Sequence, residues 1–379
     1  MGFDPRGVKH YYLTLKWEAQ RRSRRGDCSI DVGRLRTAWN HGSHCHCHFD
    51  MGTAPVEVDY EFLSYTDIIE SYFRKGLLLK LYHGIHAAFM LFFSGLFFKF
   101  CRHTWPFALF SAFPVVTLVL GTLLSLILGG TLDTLATDAG APAWLGKGLH
   151  LIPLAAFLYA ISRWDDRIFV LWILNIFSFI DETMHGRHPE LDQRLGQFAD
   201  RLEEVLRKND CDEVIVASHS SGTLLAISIT SEVIRRLQGI NTPKLCLLTM
   251  GGQHNLAFHP EASRLRQEMR ELAETPSLLW IDVFAPQDPI TAGRFDPVKH
   301  LGLQPRERHN PHLVTARFPE VLPSEVYRRV RYSFFRHHFQ FLMANETGKG
   351  FDYFRVLGSP IFIGSADIGA LPALPRPNR

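Results

Sequence analysis

The chain has 379 residues, 46% of them apolar, with 29 phenylalanines and a formal net charge of +3. Such a length holds one large domain or two ordinary ones around a sizeable core. So small a charge excess excludes a nucleic-acid footprint, and without a Walker-type loop or a G-x-G-x-x-G run nucleotide use has no support.

From the amino terminus, "MGFDPRG" reads as a glycine-bearing loop leading into a helix over residues 8–25. That helix ends in "RRSRR", either a solvated face or a lipid-facing cytoplasmic patch. "HGSHCHCHF" follows, with His41, His44, Cys45, His46, Cys47 and His48. Imidazole and thiolate ligands suit zinc or copper. As a strand over 44–49, however, Cys45 and Cys47 take one face while His44, His46 and His48 take the other. That splits the ligands, and no second Cys/His pair has matching spacing. The expectation is a half-buried strand, no metal and no cofactor. "EFLSYTDIIESYFRKGLLLKLYHGI" then reads as helical.

Residues 84–162 hold three apolar runs, at 85–98, 106–130 and 148–161. The second lacks any charged side chain and exceeds the roughly 20 residues a helix needs to cross a bilayer. We expect a membrane protein with two crossings, near 106–130 and 142–161. Residues 85–98 would lie in the interface or dock on the soluble domain. Pro114 and Pro153 also allow a broken, non-spanning hairpin. Six cysteines in no disulfide framework, and no secretory signal, predict a reducing side for the soluble part.

Residues 163–379 alternate between strand and helix. "PELDQRLGQFADRLEEVLRKN" has helical spacing, "DEVIVAS" is a short buried strand, and a helix covers 221–237. "KLCLLTMGG" and "SLLWIDVFA" are further strands, separated by a helix over 264–273. A final helix over 325–344 precedes a Gly- and Pro-rich tail. This alternation predicts an α/β fold with a mostly parallel sheet flanked by helices.

In such sheets reactive groups collect beyond the carboxyl ends of strands. "VIVASHSSGTLLA" puts Ser220 just past one strand and just before a helix, in the small-x-Ser-x-small pattern of a nucleophile elbow. Ser218 stands where glycine is usual. The structural alternative is a helix N-cap, with Ser220 or Ser221 accepting a backbone hydrogen bond. At these residues the chain resembles the α/β-hydrolase superfamily, its serine esterases and lipases most of all. The resemblance implies chain order Ser, acid, His. It makes residues 1–83 the N-terminal part of a hydrolase domain, 84–162 an inserted transmembrane hairpin, and 163–379 the main part.

"LLWIDVFAPQDPI" supplies Asp288 at a turn after a strand, ahead of Asp282 within the strand and Asp296 in the next loop. "SFFRHHFQFLM" supplies His338, with His337, His300, His309 and His312 as rivals. The oxyanion would be held by the N–H of Ser221 and by that of Gly2 or Phe3. His254 is a candidate pocket-lining residue; His185 and His188 read as loop.

The function so implied is a membrane-attached serine hydrolase acting on a lipid-like or other apolar acyl ester through a Ser220–Asp288–His338 triad. Acyl transfer by the same triad and a non-catalytic membrane scaffold are the alternatives. The partners are a lipid bilayer and the ester, with no nucleic acid. The expected location is a bacterial-type inner membrane with the soluble part facing the cytoplasm.

Overall fold

Alternation between apolar and polar side chains along residues 42–50 organises the first sheet, because a strand sends successive side chains to opposite faces. In the computed structural model, which describes residues 2–52, 54–238 and 244–359, helix α1 (Gly7–Ser23) leads into β1 (Ser29–Val32), β2 (Arg36–Trp39), β3 (Gly42–Asp50) and β4 (Val56–Leu63). Seven helical segments follow: α2 (Thr66–Arg74), α3 (Leu77–Phe93), α4 (Leu96–His103), α5 (Trp105–Asp138), α6 (Ala143–Arg163), the single turn α7 (Asp165–Ile168) and α8 (Val170–Met184). Then come α9 (Pro189–Lys208), β5 (Glu213–His219), α10 (Gly222–Arg236), β6 (Lys244–Met250), α11 (Ser263–Glu274), β7 (Leu278–Phe284), α12 (Pro297–His300) and β8 (His312–Thr315). The chain closes with α13 (Phe318–Val321), α14 (Ser324–Val330), α15 (Phe334–His338), a short 3-10 turn at Phe339–Leu342 and α16 (Tyr353–Gly358).

Two compact units result. One gathers Met1–Glu70, Lys99–Phe107 and His188–Arg379, the other Ser71–Phe98 and Ala108–Arg187.

The first unit has two sheets. In the antiparallel one, β1 and β2 pair with opposite halves of one edge of β3, and β4 runs along the other edge from Gly42↔Leu63 to Phe49↔Val56. Cys45, Cys47 and Phe49 point into the core, while His46 and His48 point outward onto Glu57 and Asp59. The second sheet is parallel in the order β5-β6-β7-β8. Alternate residues on it (Cys246, Leu248, Met250, Ile281, Val283, Val314) share one core with Cys45, Cys47 and Phe49 and with Tyr11, Leu15 and Ala19 of α1. Helix α10 packs on β5 and β6 and is flanked by α9 and α11. Both faces of the parallel sheet are therefore covered, which its near-continuous apolar strands require.

Three sequence readings change here. Residues 61–63 end strand β4 instead of starting a helix, because Val56, Val58, Tyr60 and Phe62 alternate along one face of a strand. The helix expected over 325–344 is broken into α14, α15 and a 3-10 turn. His337, His338, Phe339 and Phe341 are all buried, and on one straight helix they would spread over about 200° of its circumference. The "RRSRR" cluster is a solvated face only in part, with Arg24 and Arg25 exposed and Arg22 turned into the protein. Arg22 is buried on Asp352 (2.7 Å) and Asp27 (2.6 Å), Arg21 pairs with Glu346 (2.5 Å) and Arg25 with Asp27.

The second unit is helical. Helices α5 and α6 are each long and apolar enough to cross a membrane, and Pro114 and Pro153 lie inside them. They pack as a hairpin: a Cβ on Gly121 would overlap the Phe157 ring, one on Gly129 would meet the His150 carbonyl, and the Ser125 hydroxyl reaches Pro153 O at 3.4 Å. Gly121, Ser125 and Gly129 recur every fourth residue, the small-residue spacing that lets membrane helices approach closely. Residues 163–187 belong to this unit, not to the α/β part. Helix α8 is buried from Val170 to Asp181 except at Trp172, and it packs against α3, where Gly84 lies against Leu174.

Candidate active site

Strand β5 ends at His219 and α10 begins at Gly222, so the chain reverses within two residues. Ser220 takes φ +61°, one of three non-glycine residues with positive φ among the described residues. That conformation is strained for an L-residue and is held only where the surroundings impose it. Here the Ser220 N–H donates to Met250 O at 3.0 Å, tying the bend to the end of β6, and the Thr223 N–H and hydroxyl both donate to Ser220 O. Ser218 and Ser221 are buried while Ser220 is half-buried. Ser221, the N-cap residue of α10, makes no side-chain capping bond. Its hydroxyl instead accepts the Phe3 N–H at 3.1 Å, so the capping alternative is not what these serines do.

The amino-terminal loop lies against the bend. A Cβ on Gly2 would sit 3.0 Å from Ser220 Cβ, 3.2 Å from His219 O and 3.5 Å from Ser220 Oγ. This is a close backbone approach that glycine permits. The Gly2 N–H donates to the Tyr11 hydroxyl at 3.4 Å.

His338 ends α15 with its Nδ1 2.6 Å from Asp288 Oδ2. Asp288 follows β7, and its other carboxylate oxygen accepts the Ile290 N–H at 3.0 Å. Both side chains are buried. His338 Nε2 is buried without a hydrogen bond among the described residues, one to the Ser220 hydroxyl included. The imidazole lies beside the bend all the same. Its ring centre is 4.4 Å from that of His219, its carbonyl is 3.1 Å from His219 Nε2, and a Cβ on Gly251 would come within 3.3 Å of its Cε1. His337 points elsewhere, edge-on to Phe318 at 5.0 Å.

The remaining candidates separate from this group. Asp282 receives His254 Nε2 (2.9 Å) and the Thr249 hydroxyl (2.7 Å), which in turn accepts the Trp280 indole N–H (3.0 Å). This second His–Asp pair is fully buried on the opposite side of β7 from the core residues Ile281 and Val283. Asp296 caps α12 and binds Arg308. His300 bonds to the backbone of Asp296, and His309 lies 3.7 Å from Glu307. His312 lies in β8. His188 is 3.2 Å from Glu190, and His185 lies beside the Asp181 carbonyl.

Two neighbours escape a reading by motif. His219 occupies the variable position of the elbow yet packs on the His338 ring. Gln253 donates to Ile290 O at 3.2 Å and, with the Ala292 N–H on Gly252 O, ties the Asp288 loop to the end of β6. The glycine pair before Gln253 is the only sequence signal for this junction.

Burial, and then the neighbouring His338, hold the His219 imidazole well below the usual histidine range. His337 is shifted the same way, by burial first. Both therefore bind a proton less readily in the fold than in the unfolded chain, where a histidine titrates near pH 6.5. Below that pH the unfolded chain takes up protons more readily than the folded one, so stability is fully present above about pH 6.5 and falls as the solution is acidified, by at most about 1.4 kcal/mol per pH unit for one group. His219→Gln should flatten the fall in Tm between about pH 7 and about pH 5. An unchanged acid slope would show that His219 is not the group responsible.

No family model matches the chain, and no curated protein and no solved structure matches it either. The fold and site define a mixed α/β protein with a parallel sheet and two helices able to cross a membrane.

Proposed function

We propose that the protein is a membrane-attached serine hydrolase of α/β-hydrolase type that cleaves an apolar acyl ester. One observation carries the reading: a half-buried serine held at positive φ between a parallel strand and a helix, beside a buried imidazole whose far nitrogen is bound to a carboxylate. Ser220 Oγ attacks the acyl carbonyl as His338 Nε2 takes its proton. Asp288 fixes the tautomer through Nδ1–H and stabilises the imidazolium that forms. His338 then protonates the leaving alcohol, and water resolves the acyl-enzyme by the same route. The missing Ser220–His338 hydrogen bond is no obstacle, since such contacts often tighten only with substrate bound.

The negative oxygen is met by the N–H of Ser221, at the start of α10 where helix N–H groups have no helical partner. The Phe3 N–H is taken by the Ser221 hydroxyl, so Gly2, whose N–H makes only a long bond, is the second donor. A neutral His219 beside His338 leaves the transient imidazolium without a competing charge.

Helices α5 and α6 supply the attachment as a pair of crossings that start and finish on one face. Lys99 and Arg102 precede the pair, Arg163 ends it and Arg167 follows it, whereas the stretch 131–147 between the two apolar runs has one cation, Lys147. That asymmetry favours the cytoplasmic face for the first unit. A fluorophosphonate probe tests the reaction. Labelling that vanishes in Ser220→Ala and persists in Ser221→Ala supports the hydrolase, and a folded protein that never labels favours the scaffold. Turnover only with an added alcohol or thiol would make the same triad an acyltransferase.

A further inference from the structure

Helix α3 has three faces. Gly84, Ala87 and Leu91 are buried, and Leu77 and Leu81 pack against the cluster of Ile161, Val170, Leu171 and Leu174. A second arc carries Lys80, His83 and His86. The third carries Leu78, Tyr82, Ile85, Phe89 and Phe93, each between 56% and 80% exposed. At about 100° per residue these five fall within about 80° of one another. They form one continuous apolar stripe turned away from α8.

The path of the chain decides what covers the stripe. Residues 71–98 leave the first unit and return to it. The returning segment Lys99–Phe107 is held there by Thr104, whose hydroxyl accepts from Asn255 at 3.1 Å, and by His103 and Lys99 on the Phe258 ring. The first unit is a single folded body, so the excursion crosses a bilayer an even number of times. One 17-residue helix, about 25 Å long, cannot cross twice. It is also bent 109° from α2, so the two do not make one straight span. Yet its stripe belongs to the unit whose other long helices are membrane-spanning in length and composition. Basic residues flank it, Arg74 and Lys75 before and Lys99 and Arg102 after, as suits a helix seated among lipid headgroups.

We infer that α3 lies in the plane of the membrane–water interface, with the Leu78–Tyr82–Ile85–Phe89–Phe93 stripe in the headgroup–acyl boundary of one leaflet. This inference does not depend on the chemistry of Ser220.

The test uses the full chain in lipid nanodiscs, with Cys28, Cys101 and Cys211 changed to serine. Single nitroxide labels are placed through Leu78→Cys, Tyr82→Cys, Phe89→Cys and Phe93→Cys, and their depth is read from oxygen and nickel-chelate accessibility. Fluorophosphonate labelling or Tm confirms that each variant is folded. An in-plane helix puts all four labels at a common depth, about 5–10 Å inside the boundary. A depth that changes by about 20 Å from residue 78 to residue 93, the rise of a spanning helix, overturns the inference. So do four labels open to the nickel chelate, or four shielded from both reagents.

Discussion

Ser220→Ala should lower ester hydrolysis by at least about 10⁵-fold while leaving Tm nearly unchanged, and Ser220→Gly should be equally inactive but more stable. The two expectations share one origin. At φ +61° an L-residue pays about 1 kcal/mol that glycine does not, so the bend that aims the hydroxyl is held against local preference. Alanine removes the nucleophile and keeps the strain. Glycine removes both, although its freer unfolded chain returns part of the gain, so that the net rise is below about 1 kcal/mol. Initial rates on a short aryl ester, beside thermal unfolding of the same samples, give both readouts. If Ser220→Ala keeps the parent rate, the hydroxyl is not the nucleophile.

Asp288→Asn should cost nearly as much in kcat, about 10⁴-fold, with little change in KM. The carboxylate accepts the Nδ1–H of His338 at 2.6 Å while the Ile290 N–H holds its other oxygen. An amide in that place can donate to Nδ1, which moves the ring proton to Nε2 and leaves no base facing Ser220. The second buried pair is the internal control. Asp282→Asn disturbs the His254–Thr249–Trp280 network and should lower Tm, yet change kcat by less than about threefold, because it lies outside the reacting group. Equal losses of kcat from the two substitutions would show that the rate reports damage to the fold and not the chemistry of Asp288.

The parts of this arrangement that sequence reveals are those governed by near neighbours. The run from Val214 to Ala226 is legible because strand propensity, a small-residue turn and helix periodicity succeed one another without a gap. The Asp-Pro turn after "LLWIDVF" is legible for the same reason. The histidine pair near 338 stands out as polar groups in an aromatic stretch, but only the fold separates the one on Asp288 from the one on Phe318. What stays hidden depends on distant partners. Strands β1, β2 and β8 are each four residues long and are stabilised by the strands they pair with, not by a pattern of their own. Helix α8 looks like any apolar run until α3 packs on it. The arginines at 21–25 resemble a basic patch because the carboxylates of Asp352 and Glu346 lie more than 300 residues downstream. Serine-rich turns, by contrast, carry their meaning locally.

The clasp between the Phe3 N–H and the Ser221 hydroxyl spans 218 positions, and the imidazole beside Ser220 arrives 119 positions after its neighbour His219. Residues near 3, near 220 and near 338 must therefore meet at one point, with two membrane-length helices made in the interval. Assembly of the pocket consequently waits for residue 338, which is made after both membrane-length helices. Chains truncated before residue 338 would be anchored and unreactive.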